Sequence, residues 1–314
     1  MRILLIAGGW STERDVSLAG ARGMESALRG RGHEVTFFDL RDRFDHLLET
    51  ARAHDFCLIN LHGTPGEDGL VQAMLERAGC PYQGSGPAGS FLALNKAAAK
   101  QIFRMAGLPT ADWEFLPEPP APGWEPRLSW PLFVKSNTGG SSLRLGRARN
   151  RRELDALLAE IFAAGDSVLL EPQLEGREVT CGVLGDVALP PVLIEPVSGD
   201  FFDYTSKYAQ GGAREICPAP LPRNVLDEAG RLALAAHSAL GLEGCSRTDF
   251  ILSPDGCLTL LEVNTLPGMT QASLVPREAA ALGMDVGALL ERLMELGLKR
   301  HGERRSRAPV CPRA

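Results

Sequence analysis

Several function classes drop out because of what this chain lacks. No apolar run is long enough to span a bilayer, and the opening stretch, Met1-Arg-Ile-Leu-Leu-Ile-Ala-Gly-Gly9, has no cleavage-site pattern. A net charge of −6 argues against a surface that coats nucleic acid. The seven cysteines are odd in number and include no C-x-x-C pair, which fits free thiols in a reducing cytoplasm, with Cys57 and Cys181 filling strands. Neither a G-x-G-x-x-G fingerprint nor a Walker A loop is present, so an oxidoreductase or P-loop reading has little to rest on. Lysine is scarce: it occurs only at positions 96, 100, 135, 207 and 299, among 33 basic residues. Where arginine is the default cation, a retained lysine marks a place that needs a compact, flexible ammonium. Lys299, on the last helix, reads as a solvated exception.

What is present describes a globular protein. The chain has 314 residues, 44% hydrophobic and 23% charged, enough for two or three compact units. Arg2–Ala7, Glu34–Asp39 and Phe56–Asn60 read as strands, with helices from the Gly8-Gly9 turn to about Arg29 and over Phe44–Ala53. Strands alternating with helices indicate a doubly wound layer. The third strand runs into Leu61-His62-Gly-Thr-Pro-Gly-Glu-Asp-Gly69, at the carboxyl end of the sheet, where such layers bind ligands. A proline-dense connector, Leu116–Pro126, reads as stiff and solvated. Pro131–Lys135 then enters Ser136-Asn-Thr-Gly-Gly-Ser141-Ser142, a loop whose backbone N–H groups and hydroxyls suit a polyphosphate, with Lys135 adding charge. If the chain continues as a strand after Gly140, Ser142 and Arg144 share a face, and Arg144 either adds a contact to a triphosphate, the favoured reading, or points into water from the loop's outer edge. Further helices read out over Arg151–Ala163, Asn224–Leu240 and Asp285–Leu298, with a frayed tail after Arg300.

The chain is organised around Cys245-Ser-Arg-Thr-Asp-Phe-Ile-Leu252 and Leu258-Thr-Leu-Leu-Glu-Val-Asn264, two apolar runs flanking Ser253-Pro-Asp-Gly256. A Pro-Asp-Gly turn between such runs predicts a hairpin. Alternation puts Arg247 with Asp249, and Glu262 with Asn264; if the two faces coincide, two carboxylates and a carboxamide converge beside a guanidinium. That oxygen set suits Mg²⁺, which keeps several waters and takes one or two carboxylates plus substrate phosphates.

R-x-D and E-x-N strands followed by Pro267-Gly-Met-Thr270 resemble the metal site of ATP-grasp carboxylate–amine ligases, and Ser273-Leu-Val-Pro276 makes the D-alanine–D-alanine ligase family the nearest likeness. The resemblance runs from Arg2 to about Lys299 through six motifs in the family's order. It implies an ATP-grasp α/β fold: a doubly wound substrate domain over 1–95, a lid domain over 96–178, a catalytic and metal domain over 179–304, and a tail over 305–314. It also implies Mg²⁺ or Mn²⁺, two ions, on Asp249, Glu262 and Asn264. Carried over residue by residue, Glu13 holds the first D-alanine's ammonium and His62 contacts that substrate. Lys96, Lys135, Ser142 and Lys207 face phosphates. Glu171 and Leu174 serve the adenine, and Glu178 the ribose. Arg247 and the N–H of Gly268 stabilise an oxyanion, and Ser273 and Leu274 hold the second substrate's carboxylate. Tyr208, in a loop similar to the family's F-x-D-Y-x-x-K-Y segment, closes onto Glu13 and Ser141. The family's partners are ATP and D-alanine, and its usual assembly is a homodimer. Four positions depart from the family pattern: Ser136, Gly139, Arg144 and Pro172. The alternatives are a same-fold ligase that makes D-alanyl-D-lactate, D-alanyl-D-serine or another dipeptide, and a non-catalytic nucleotide-binding relative.

Overall fold

The computed structural model describes residues 1–140, 144–197 and 212–307. Three sheets organise them. In the first, β1 (Arg2–Ala7), β2 (Glu34–Asp39) and β3 (Phe56–Asn60) are parallel in the order β2-β1-β3, with the bounds that the apolar runs predict. Residues 3–7 are wholly buried because both faces are covered. Ile3, Leu5 and Ala7 join a core with Ala21, Met24 and Leu28 of α1 (Arg14–Gly30), while Leu4 and Ile6 pack with Leu47, Val71 and Leu75 on the opposite face. Burial on two faces explains a strand that reads as a continuous apolar run rather than an alternating one. The helix expected over Phe44–Ala53 is split: Phe44–His46 is a 3₁₀ turn and α2 covers Leu47–Arg52. Helices α3 (Leu70–Ala78), α4 (Pro87–Leu94) and α5 (Lys96–Met105) follow.

The second sheet is antiparallel, ordered β11-β10-β8-β12-β13, with a two-residue β9 on β8. Its strands are β8 (Arg177–Leu184), β9 (Val187–Ala188), β10 (Val192–Pro196), β11 (Ala213–Ile216), β12 (Cys245–Leu252) and β13 (Leu258–Asn264). The third is a smaller antiparallel sheet, β4-β7-β5-β6, made from β4 (Glu114–Leu116), β5 (Leu132–Ser136), β6 (Leu145–Ala148) and β7 (Val168–Pro172). Helix α6 (Arg151–Ala163) covers it, and Trp124 of the connector packs on the same core. Helix α7 (Arg223–Ala239) lies on the second sheet; α8 (Leu274–Ala281) and α9 (Val286–Arg307) close the chain.

Two expectations need correction. The last helix does not fray after Arg300; it runs to Arg307. Arg300 is buried, stacks 4.0 Å over the Tyr82 ring and donates to the carbonyls of Tyr82 and Gly84, while Arg304 reaches Glu243 and Glu76. These contacts tie α9 to the first sheet and hold its final turns. Nor does Arg144 continue a strand from Gly140: β6 starts at Leu145, and Arg144 is an exposed residue at φ +52°, the left-handed region that costs a non-glycine residue roughly 1 kcal/mol or more. A glycine at this position would adopt that conformation without the steric cost.

Candidate active site

The β12–β13 hairpin forms around its turn, with Gly256 N donating to Ser253 O and Ser253 N to Cys257 O. Arg247 lies opposite Asn264 and Asp249 opposite Glu262; the register then slips, so that Phe250 faces Leu260. The slip is a bulge at Leu261, and it resolves a conflict that strict alternation leaves open. Leu258 and Leu260 are buried core residues, and period-two counting would send Glu262 and Asn264 to that same apolar face. One extra residue reverses the parity: Val263 joins the core, while Glu262 and Asn264 turn to the face of Arg247 and Asp249.

Asp249 is the most constrained group on that face. Its Oδ1 accepts from Arg247 Nε at 2.9 Å and from Thr180 Oγ1 at 2.6 Å, and its Oδ2 accepts from Arg247 Nη2 at 2.8 Å. Burial works against the guanidinium's charge, but Asp249 more than offsets it, so the Arg247 pKa rises and the group is permanently cationic. Glu262 keeps about a third of its side-chain surface and lies 3.4 Å from Lys96 Nζ. Asn264 Oδ1 accepts from Leu266 N at 2.8 Å, which fixes the carboxamide at the mouth of the following loop. Among the described residues no group of three or more His, Cys, Asp and Glu is placed to hold a metal ion. The hairpin's set is two carboxylates and a carboxamide, oxygen donors of the kind Mg²⁺ accepts together with phosphates and water. Carboxylate oxygens have lone pairs to spare beyond the bonds seen here.

Helix α5 carries the site toward the third sheet. Its N-terminus is capped by Asn95, whose Oδ1 accepts from Ala98 N at 3.1 Å, and by Asn137, whose Oδ1 accepts from Ala97 N at 2.9 Å. Asn137 follows β5, so the start of the glycine loop is tied to the helix that carries Lys96. Lys96 Nζ also donates to Gly139 O at 2.6 Å. A Cβ at Gly140 would stand 3.1 Å from Glu13 Oε2, so the loop approaches the first sheet closely. On β5 and β7, Lys135 Nζ lies 2.5 Å from Glu171 Oε2, and Lys100 Nζ lies 2.5 Å from Glu171 Oε1. Burial alone would push the Glu171 carboxyl up; Lys135 and Lys100 together outweigh it and hold it below the usual range. Leu174 is half-buried in the turn after β7, and Glu178 is half-buried on β8.

At the carboxyl end of the first sheet, Glu13 and His62 are buried. Burial pushes the His62 imidazole down, toward its neutral form. Glu67, also buried, accepts from Gly63 N at 2.5 Å, and burial with Glu13 nearby pushes its carboxyl up to about 7. Across the cleft, Ser273 precedes the first residue of α8, Leu274; its Oγ accepts from Thr270 N at 3.1 Å. A Cβ at Gly268 would stand 2.8 Å from that Oγ, so only glycine fits without displacing it. A cleft of about 590 Å³ joins Glu13, His62, Lys96, Glu178, Arg247 and Ser273. Ser141, Ser142, Lys207 and Tyr208 lie outside the described residues. Lys100 stands among the retained lysines without an assigned role, Asn137 and Glu67 lie within motifs without being singled out, and Thr180 carries no local signal; Lys100, Asn137 and Thr180 owe their importance to partners far along the chain.

A family model described as the D-ala D-ala ligase C-terminus matches residues 102–295. A D-alanine--D-alanine ligase from Desulfovibrio desulfuricans is 71% identical over 298 residues, covering 95% of this chain and 97% of that protein. The chain belongs to the D-alanine–D-alanine ligase family. Among solved structures of that family, the ligase from Bacillus anthracis complexed with ATP superposes with a TM-score of 0.86 at 33% identity, over 97% of this chain and 99% of that one. The D-Ala:D-Ser ligase VanG from Enterococcus faecalis follows at 0.79 and 26%, over 94% and 99%. The fold is the ATP-grasp fold that the motifs lead one to expect. No helix among the described residues is long and apolar enough to cross a membrane.

Proposed function

We propose that this protein uses ATP to join two D-alanines into D-alanyl-D-alanine, the dipeptide of peptidoglycan precursors, through an acyl phosphate. The observation that carries the reading is the convergence in one cleft of Arg247, Asp249, Glu262 and Asn264 with Lys96 and Glu13, from three separate elements of the fold. A carboxylate is a poor acylating group, so the first D-alanine must attack the γ-phosphate before an amine can displace it. Glu13 holds that substrate's ammonium, beside a neutral His62. Lys96 and Lys135, with Ser142 and Lys207, meet phosphate oxygens and spread the charge that develops on transfer. Glu171 and Leu174 read the adenine, and Glu178 the ribose hydroxyls. Asp249, Glu262 and Asn264 hold Mg²⁺ or Mn²⁺, two ions, which when bound neutralise phosphate charge.

The second D-alanine's amine then attacks the acyl phosphate. Arg247, its guanidinium plane set by the two bonds it donates to Asp249, and the Gly268 N–H stabilise the tetrahedral oxyanion. Ser273 and the first turn of α8 at Leu274 receive that substrate's carboxylate, as a helix N-terminus favours an anion. Water must stay out, or the acyl phosphate hydrolyses; the glycine loop at Gly139–Gly140 and Tyr208, closing onto Glu13 and Ser141, serve that end. The same reading divides the chain at residues 95, 178 and 304 and makes the enzyme a cytoplasmic homodimer; the three separate sheets support three units, with 178 falling just inside β8 and 304 within α9. Phosphate release from ATP, assayed with and without D-alanine, tests it: D-alanine-dependent release supports the ligase, and release driven only by another amino acid replaces the substrate assignment.

A further inference from the structure

Two lysines on one face of α5, a helical turn apart, hold two different carboxylates. Lys96 reaches Glu262 of the hairpin, and Lys100 reaches Glu171 of the third sheet. Lys96 has a place in the ligase reading; Lys100 has none. Its side chain is 1% exposed, against 14% for Lys135 on the other side of the same carboxylate. Lys100 is therefore shut off from solvent, whereas Lys135 keeps part of its side chain exposed. Beyond Glu171, the Lys100 ammonium donates to Thr110 Oγ1 at 2.7 Å, and Thr110 Oγ1 donates to Leu260 O at 2.9 Å. It also lies 5.7 Å from the centre of the Trp113 ring. An ammonium has three donors and no acceptor, so these partners account for a charge that burial otherwise disfavours.

We propose that Lys100 is a positioning residue for nucleotide binding: it secures Glu171 from the buried side and so leaves the Lys135 ammonium available to a phosphate. Glu171 with Lys135 alone would be a neutral buried pair. Moving Lys135 onto a phosphate would then strand a buried carboxylate, which is strongly unfavourable. With Lys100 as a permanent second partner, the cluster carries one net positive charge and Glu171 stays paired while Lys135 changes contacts. The electrostatics agree in direction: burial draws the Lys100 pKa down and Glu171 restores part of it, while the Lys135 pKa is raised, burial being outweighed by Glu171 and then Glu262. The inference rests on the proposed placement of Lys135 at the phosphates.

The test is a double-mutant cycle read by calorimetric binding of ADP with Mg²⁺, which needs no turnover. Lys100→Met is expected to weaken ADP about tenfold and leave the KM for D-alanine within twofold. In a Glu171→Gln background, where no carboxylate competes for Lys135, adding Lys100→Met is expected to cost less than threefold. Wild-type ADP affinity in Lys100→Met, or an equal loss in both backgrounds, overturns the proposal. If the single variant does not fold, Glu171→Gln and the double variant decide alone: near-equal affinities support the proposal, and a tenfold gap between them overturns it. ADP binding by the wild type without D-alanine-dependent phosphate release would overturn the substrate assignment, and the cycle would still be readable.

Discussion

The hairpin side of the cleft and the α5–β5–β7 side are built from the same kinds of group, buried carboxylates paired with cations, yet they are encoded differently. On the hairpin, Arg247 and Asp249 are two residues apart, as are Glu262 and Asn264, and a short turn brings the strands together. On the other side, Lys100, Lys135 and Glu171 meet only because a helix and two strands of a separate sheet are packed together. A local arrangement can be counted off the sequence; one that depends on tertiary docking leaves no spacing to count. The Asp249 carboxylate is held by bonds from its own strand and from β8, whereas the lysine cluster joins the paired strands β5 and β7 to a helix whose start is capped by Asn137.

That contrast sets the sizes of effect to expect. Asp249→Asn and Glu262→Gln each remove a charge from the oxygen set while keeping its shape. Each is expected to lower kcat by on the order of 10³, several kcal/mol of lost charge stabilisation. Glu262→Gln is expected to keep a melting temperature close to wild type, whereas Asp249→Asn leaves the buried Arg247 guanidinium without its counter-charge and is expected to melt several degrees lower. Steady-state assay and calorimetry together check this, and near-normal turnover in either variant would detach the hairpin from the chemistry. Arg247→Lys keeps the charge and loses the planar fork that grips Asp249, so kcat is expected to fall about 10²–10³-fold, with a smaller change in KM. A defect confined to KM would make Arg247 a ground-state binder instead.

Glu278 gives a stability effect, and no activity enters it. It is fully buried on α8, with Oε1 accepting from Gly182 N at 3.0 Å and Oε2 lacking a hydrogen-bond partner among the described residues. Burial pushes its carboxyl from 4.5 up to about 8. For an acid whose folded pKa is raised, stability is intact below the unfolded value and declines as pH climbs through the window between the two, from 4.5 to about 8 here. Glu278→Gln mimics the protonated form, so it is expected to match wild type at pH 5 and to melt several degrees higher at pH 8. Parallel thermal unfolding across that range checks it; a gap that does not widen with pH would contradict the assignment.

The smallest effect expected is at Arg144. Glycine there relieves the left-handed conformation, worth roughly 1 kcal/mol or about 1–3 °C, and the exposed side chain is expected to leave KM for ATP within threefold. A tenfold rise in that KM would restore Arg144 as a phosphate anchor.

The three strands of the first sheet were legible to the residue: β1 and β3 are nearly unbroken apolar runs because both faces are covered, and β2, a half-exposed edge strand, still carries Val35, Phe37 and Phe38 between its polar ends. The metal-type face of the hairpin was legible from pairs two apart, though the bulge at Leu261, which makes that face possible, was not; nothing in Leu-Thr-Leu-Leu-Glu-Val-Asn marks where the parity reverses. The end of α9 was missed because Arg300 and Arg304 look like the solvated tail of a helix until Tyr82, Glu76 and Glu243 are brought alongside. Arg144 was misread as a strand residue for want of any signal that its φ is positive. The Lys100 partnership was hidden for the same reason as the rest of the lysine cluster: each member is ordinary in its own segment.

The most direct measurement follows phosphate and product together. The purified protein is given ATP, Mg²⁺ and D-alanine, alone and with equimolar D-lactate or D-serine at neutral pH, and the products are separated and weighed by mass spectrometry. The account expects phosphate release that depends on D-alanine, with D-alanyl-D-alanine the main product in every mixture. A majority of depsipeptide or of D-alanyl-D-serine, or no D-alanine-dependent phosphate at all, would contradict it.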